Sequence, residues 1–179
     1  MERKEFLLKS CGLCGCAGLA LLTGQPVKAV SDDVKPDWRI DFMQKRFAHL
    51  VDYMKANVDE HTRMKMIEEM GHFCASQNKD NYSKFIGNIE GLLKDFESNW
   101  MEKTEFDKEN KTIRMQGKKQ EACFCAFADK KNISSEFCNC SKGWMKETFS
   151  TVAGRPVDVT IDSSLLMGGD RCSFTIRIV

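Results

Sequence analysis

The stretch that decides the fold is "SKGWMKETFSTVAGRPVDVTIDSSLLMGGDRCSFTIRIV", residues 141–179. Its first part carries Trp144, Met145 and Phe149 on a helical pattern. Gly154 then stands where a helix C-cap favours glycine, and Pro156 just beyond cannot continue a helix. From Val157 the period changes to two. Val157, Val159 and Ile161 alternate with polar neighbours, and "MGGD" follows as a turn. Beyond it Cys172, Phe174, Ile176 and Ile178 alternate against Arg171, Ser173, Thr175 and Arg177. That is a half-buried antiparallel strand, and with the strand before it a hairpin. The Asp170 carboxylate is expected to hold the turn, with Arg171 and Arg177 solvated on the outer face.

Working toward the N-terminus, "EFDKENKTIRMQ" (105–116) reads as another hairpin, turning near Glu109–Asn110. Between the hairpins lies "ACFCAFADKKNISSEFCNCSKGW" (122–144), with Cys123/Cys125 and Cys138/Cys140. "EACFCAF" is expected to be a strand, with Cys123 and Cys125 on one face. Cys140–Val152 is expected to form a helix interrupting the sheet. Before Trp100 the period is helical throughout. Phe47, Leu50, Val51, Met54 and Val58 share one helix face; Met64, Ile67, Met70 and Cys74 share a second, N-capped by Asp59; Phe85, Ile89, Leu92, Leu93 and Phe96 share a third. Helices first and sheet afterwards predict an α+β fold: N-terminal helices packed on a curved antiparallel sheet, with one helix inserted between its strands.

The chain has 179 residues, 42% hydrophobic and 30% charged, with a formal net charge of +1. This is globular composition, without the basic excess of a nucleic-acid binder. Residues 1–29 read instead as an export signal. Arg3, Lys4 and Lys9 precede an apolar, Gly-rich run from Cys11 to Leu22, and Val27-Lys28-Ala29 offers a cleavage site. "RKEFLLK" resembles a twin-arginine motif, with Lys4 in place of the second arginine and Leu8 as an extra residue. Leu13-Cys14-Gly15-Cys16 loosely matches a lipoprotein box, but the apolar run continues beyond it. Residues 30–37 form a polar linker, and 38–179 a single α+β domain. The expected location is the bacterial periplasm or cell envelope, with the membrane met only through the signal.

Removing residues 1–29 leaves six cysteines: Cys74, Cys123, Cys125, Cys138, Cys140 and Cys172. An even number in an exported chain keeps disulfides open, from the Cys123/Cys125 pair to one near the helix start. Four thiols as Cys-x-Cys…Cys-x-Cys could also hold zinc or another thiolate-bound metal. A thiol at the helix start could be activated by the helix dipole. All could instead be small apolar core residues. The four thiols are expected to converge, at least three close enough to share an ion, with Phe124 and Phe137 anchoring both ends in the core. Cys74, Trp144 and Cys172 are the candidate pocket residues; Cys172 should point inward with Phe174 and Ile176. His72 and Cys74, two apart on a helix, make a poor chelating pair.

Residues from Phe137 to Ile178 carry a resemblance, through Gly154, Pro156, Val157, Gly169, Asp170, Cys172 and Phe174. This segment resembles the 4-vinyl reductase type of small-molecule-binding domain. It is still more similar to bacterial proteins related to L-2-amino-thiazoline-4-carboxylic acid hydrolase. The resemblance covers roughly the last sixty residues. It implies helices on an antiparallel sheet that holds a small ligand or metal. Two functions follow as expectations: an exported small-molecule- or metal-binding module, or a small hydrolase of a cyclic amide-like or thiazoline-like substrate using metal-activated water.

Overall fold

The structure is a computed structural model that describes residues 37–179. The export signal and nearly all of the linker lie outside the described residues. Four helices come first: α1 (Trp38–Asn57), α2 (Glu60–Gln77), the short α3 (Lys79–Ser83) and α4 (Ile89–Asn99). Strands β1 (Met101–Asp107) and β2 (Thr112–Gly117) follow, then α5 (Asn139–Ala153), β3 (Val157–Ser163) and β4 (Ser173–Ile178). The sheet is antiparallel, in the order β1-β2-β4-β3. The α+β class is therefore as the change of period implied, with α5 inserted in sequence between β2 and β3.

Asp37 and Asp59 accept hydrogen bonds from the Arg39 and Thr62 N–H groups, satisfying donors that a helix start leaves free. The third predicted helix, however, is two. Gly87, at φ 78°, turns the chain between α3 and α4 and donates its N–H to the Val152 carbonyl at 2.8 Å. A left-handed turn that only glycine takes without strain thus docks this connection on α5. Sequence periodicity runs through such a break because Phe85 and Ile89 still face the core.

One face of the sheet is buried. Val159, Ile176 and Ile113 stand in register across β3, β4 and β2, and Ile161, Phe174 and Met115 form the next row. Rows of this kind are the unit of sheet stabilisation. They meet Phe149 and Val152 of α5 and Leu92 and Phe96 of α4 in the main core. A second, smaller core joins Ala48 and Val51 of α1, Ile67 of α2, and Ala128, Ile133 and Phe137 from beyond β2. Leu50, expected on the buried face of α1, is half exposed, because that helix packs only on the smaller core.

Residues 118–134, which include the expected strand "EACFCAF", form an irregular strap instead. β4 is already paired on both sides, by β2 and β3, so the sheet's interior is complete without it. The strap is built from turns. The Ala128 N–H donates to the Cys125 carbonyl, and Asp129 gathers the Lys131 N–H and the Asn132 side-chain amide. The apolar run in "CFCAF" has no polar alternation, which is why its period could not separate a strand from a cover over a cavity. Arg171 is also not solvated: its side chain is 14% exposed and paired with Asp170 and Glu102. Arg177 is exposed, as expected, and pairs with Asp158.

Candidate functional site: a cysteine-lined cavity

The closest approach in the fold is between α2 and α5, and it sets the back wall of the site. A Cβ at Gly71 would lie 1.8 Å from the Cys140 carbonyl oxygen, and one at Gly143 would lie 1.9 Å from that of Glu68. Only glycine lets the two backbones touch there. This contact brings Cys74 of α2 beside Cys140 in the first turn of α5 and aims Trp144 toward the sheet.

In front of this wall lies a cavity of about 580 Å³. Its apolar lining includes Trp100, Phe124, Trp144, Met145, Leu165 and Phe174. Trp100 organises the aromatic part. Its ring stands edge-on to Trp144 and to Phe124, each with centroids 6.0 Å apart, and packs 4.8 Å from Phe96. Edge-to-face pairs at these separations suit the aromatic quadrupole.

All six cysteines of the described residues line this one cavity, and all are free. Cys74 comes from α2, and Cys123 and Cys125 from the strap. Cys138 ends the 3-10 turn Ser135–Cys138, Cys140 begins α5, and Cys172 precedes β4. Cys123, Cys125, Cys138 and Cys140 line the same cavity as Cys74, Trp144 and Cys172, but the expected grouping of at least three of the four sulfurs close enough to share an ion is not found among the described residues.

Burial dominates the chemistry of three of these thiols, Cys123, Cys138 and Cys140. It pushes the Cys123 thiol up to about 11, and the neighbouring Cys172, Cys138 and Cys125 add to the effect. Cys140 is pushed up to about 12, again by burial first and then by Cys74, Cys125 and Cys138. An activated thiolate at the start of α5 is therefore not what the structure places there. Burial also raises Cys138, while its contact with Ser164 opposes the rise. The Cys138 thiol donates to the Ser164 hydroxyl at 3.0 Å, and that oxygen also accepts the Met167 N–H at 3.1 Å. Among the described residues, no three His, Cys, Asp or Glu side chains stand close enough to hold one metal ion. The donors are of the right type for a soft ion, but they are spread around the cavity, and burial disfavours the thiolate form of Cys123, Cys138 and Cys140. His72, away from the thiols, faces Glu147 at 3.4 Å and Glu68 at 3.8 Å.

One expectation for a single residue changes: Phe137 is buried as an anchor of the smaller core, but Phe124 is 70% exposed and lines the edge of the cavity instead. Trp144 lines the cavity as expected and packs on Phe96. Trp100 and Ser164 were not among the candidate residues. The Trp100 position at the helix-to-strand junction was a usable signal; nothing in sequence marked Ser164.

No protein-family model matches the chain, and no curated protein matches it. Solved structures do. A trafficking protein particle complex subunit 3 from Naegleria fowleri, covalently bound to palmitic acid, superposes with a TM-score of 0.53 at 13% identity. The match covers 79% of this chain and 95% of that one. The phenol-responsive sensory domain of the transcription activator PoxR, with phenol, gives 0.52 at 10% identity, covering 75% and 74%. At these identities the likeness is one of fold. A vinyl-4-reductase family protein from Methanocaldococcus jannaschii overlaps at a TM-score of only 0.36 and 15% identity, covering 78% and 81%. That value is too low to carry an argument for the resemblance noted in the sequence.

Proposed function

We propose that this chain is a small-molecule-binding module that takes an apolar or aromatic ligand in the cysteine-lined cavity. The observation that carries the reading is the cavity itself. It has about 580 Å³ of space, aromatic walls and neutral thiols, within the range of ligand pockets. Two proteins of similar fold were solved with phenol and with palmitic acid, which supports an apolar ligand of either shape. Neutral thiols are soft and weakly polar, so they serve as apolar wall as well as chemistry. The export proposed from residues 1–29 would place this module in the cell envelope.

The test is displacement of an apolar fluorescent probe from the purified protein, read also through quenching of Trp100 and Trp144. Binding should be displaced by phenol or by a fatty acid, and which one competes assigns the ligand's shape. A protein that takes up no probe, with unchanged tryptophan emission, would remove the proposal.

A thiolate-bound metal is the second reading, favoured by the meeting of six thiols on one cavity. Zinc held by Cys123, Cys125, Cys138 and Cys140 requires those side chains to draw together and release their protons, as thiolate ligation demands. The hydrolase alternative depends on the same metal to activate water. Metal analysis of protein purified without chelator, with a free-thiol count, separates this reading from the first: bound zinc with four protected thiols supports it.

A further inference from the structure

The strap is tied down at its root beside Cys172. The Gly117 N–H donates to the Cys172 carbonyl at 2.8 Å, and the Gln120 N–H to the Asp170 carbonyl at 3.0 Å. Lys119 adds an ion pair to Asp170 at 2.8 Å. From residue 121 to residue 127 the strap is exposed, with one exception: Cys123 is turned inward and half buried. It reaches the same cavity that Cys172 lines from the sheet side. Of the other thiols, Cys172 has the strongest influence on Cys123. Cys172 is packed against the main core and Cys123 against the smaller one, so the two belong to different halves of the molecule.

We propose that Cys123 and Cys172 form a reversible disulfide that pins the strap across the mouth of the cavity. The oxidant is a low-molecular-weight disulfide of the glutathione type. One of the two thiols, as thiolate, attacks a sulfur of the oxidant, forming a mixed disulfide and expelling one small thiol. The second cysteine attacks the protein sulfur of that mixed disulfide and expels the other small thiol. Two protein thiols are oxidised, one disulfide is reduced to two thiols, and both protons leave with those thiols. The root hydrogen bonds keep the strap near Cys172, so the second step is intramolecular and is favoured over capture of another molecule. Cys123 needs only a movement of an irregular, turn-built segment, whereas Cys172 is held at the sheet. The bond rests on this geometry alone; its effect on ligand release rests on the small-molecule reading.

The experiment treats the full chain with oxidised glutathione, alkylates the remaining thiols and maps the peptides without reduction. The expected product is a peptide pair joined through Cys123 and Cys172, lost on treatment with dithiothreitol. C123S and C172S should each abolish it and leave the partner alkylated or glutathionylated. Alkylation of both residues in the oxidised wild-type chain, or a main product joining Cys123 to another thiol, overturns the assignment. Mapping the wild-type chain decides this even if a variant fails to fold. The oxidised protein should also release a bound apolar probe several-fold more slowly than the reduced one. A formed bond with unchanged release overturns the pinning. A reduced protein that binds no probe sinks the small-molecule reading and leaves the bond to be decided by the mapping.

Discussion

The β3–β4 hairpin and the strap at 118–134 both present thiols to the same cavity, yet they are opposites in construction. The hairpin is in register from Val157 to Ile161, with Val159–Ile176 and Ile161–Phe174 as facing pairs, and shifts register only between Ile161 and Ser163. The strap holds itself by turns, and most of its side chains from 121 to 127 are exposed. Cys172 stands directly before β4, and its carbonyl accepts the Gly117 N–H. The thiols of the strap are placed by its root bonds to Asp170, by the Gln44 amide on the Ala126 carbonyl and by the packing of Phe127, Ala128 and Ile133 farther along. The cavity therefore has a stiff wall and a pliant one, and local stability should differ accordingly.

The largest effect should come from the back wall, where α2 meets α5. Gly143→Ala places a methyl group where the Glu68 carbonyl already stands, on backbone that cannot step aside cheaply. We expect a loss of about 3 kcal/mol or more, above the usual cost of overpacking, read from denaturant unfolding. An unchanged midpoint would mean that α2 and α5 can separate, and with them Cys74 and Cys140.

Next comes the anchor of the pliant wall. Phe137→Ala empties the centre of the smaller core and should cost about 3–5 kcal/mol. Phe124→Ala, thirteen residues earlier on the exposed part of the strap, should change stability by about 0.5 kcal/mol or less, while weakening probe binding at the Trp100 edge. If both variants unfold alike, the strap is not the pliant element described.

A smaller loss is expected from Glu136→Gln. Glu136 accepts from two nitrogens of Arg63, each at 3.1 Å, and the Arg63 side chain is only 7% exposed. Leaving that guanidinium without its carboxylate should cost about 2–3 kcal/mol, measured by the same unfolding curves.

A change of another kind follows from pH. Cys123 and Cys140 hold their protons up to about 11 and about 12 in the folded chain, against an ordinary value of 9.0. Above pH 9 the unfolded chain releases these protons first, so it binds fewer of them than the folded chain. Stability should therefore be complete below pH 9 and fall as pH rises through 11 to 12. The melting temperature across that window checks it; a flat profile would place both thiols in contact with water. Under milder conditions Cys74 and Cys125, both exposed, should be alkylated before Cys138.

The same contrast explains what could be read from residues alone. The β3–β4 hairpin was legible because one face is buried and the other wet, so Cys172, Phe174 and Ile176 alternate with polar neighbours. The strap was not, because Cys123, Phe124 and Cys125 are all small or apolar while only Cys123 is half buried. Its conformation is set by what it covers, a tertiary fact with no local period. The break at Gly87 was hidden for a related reason, since its partner is the Val152 carbonyl on a distant helix. That the cysteines meet one cavity was legible from chain length between the pairs; their spread around it, too wide among the described residues for three to share an ion, was not, because it depends on how α2 crosses α5.

The sheet order carries a consequence for how the chain comes together. β4 follows the other three strands in the chain but stands between β2 and β3. The β1–β2 hairpin can form locally, and so can β3–β4, but the two are joined only when Ile176 reaches Ile113. That pairing is the longest-range step of the sheet, and closing it costs the entropy of everything between. Until it happens, the apolar faces of both hairpins are open, and the cavity has no floor. The cavity thus depends on the β2–β4 pairing, and a chain with both hairpins formed but unpaired would hold all six thiols and still lack the pocket they line.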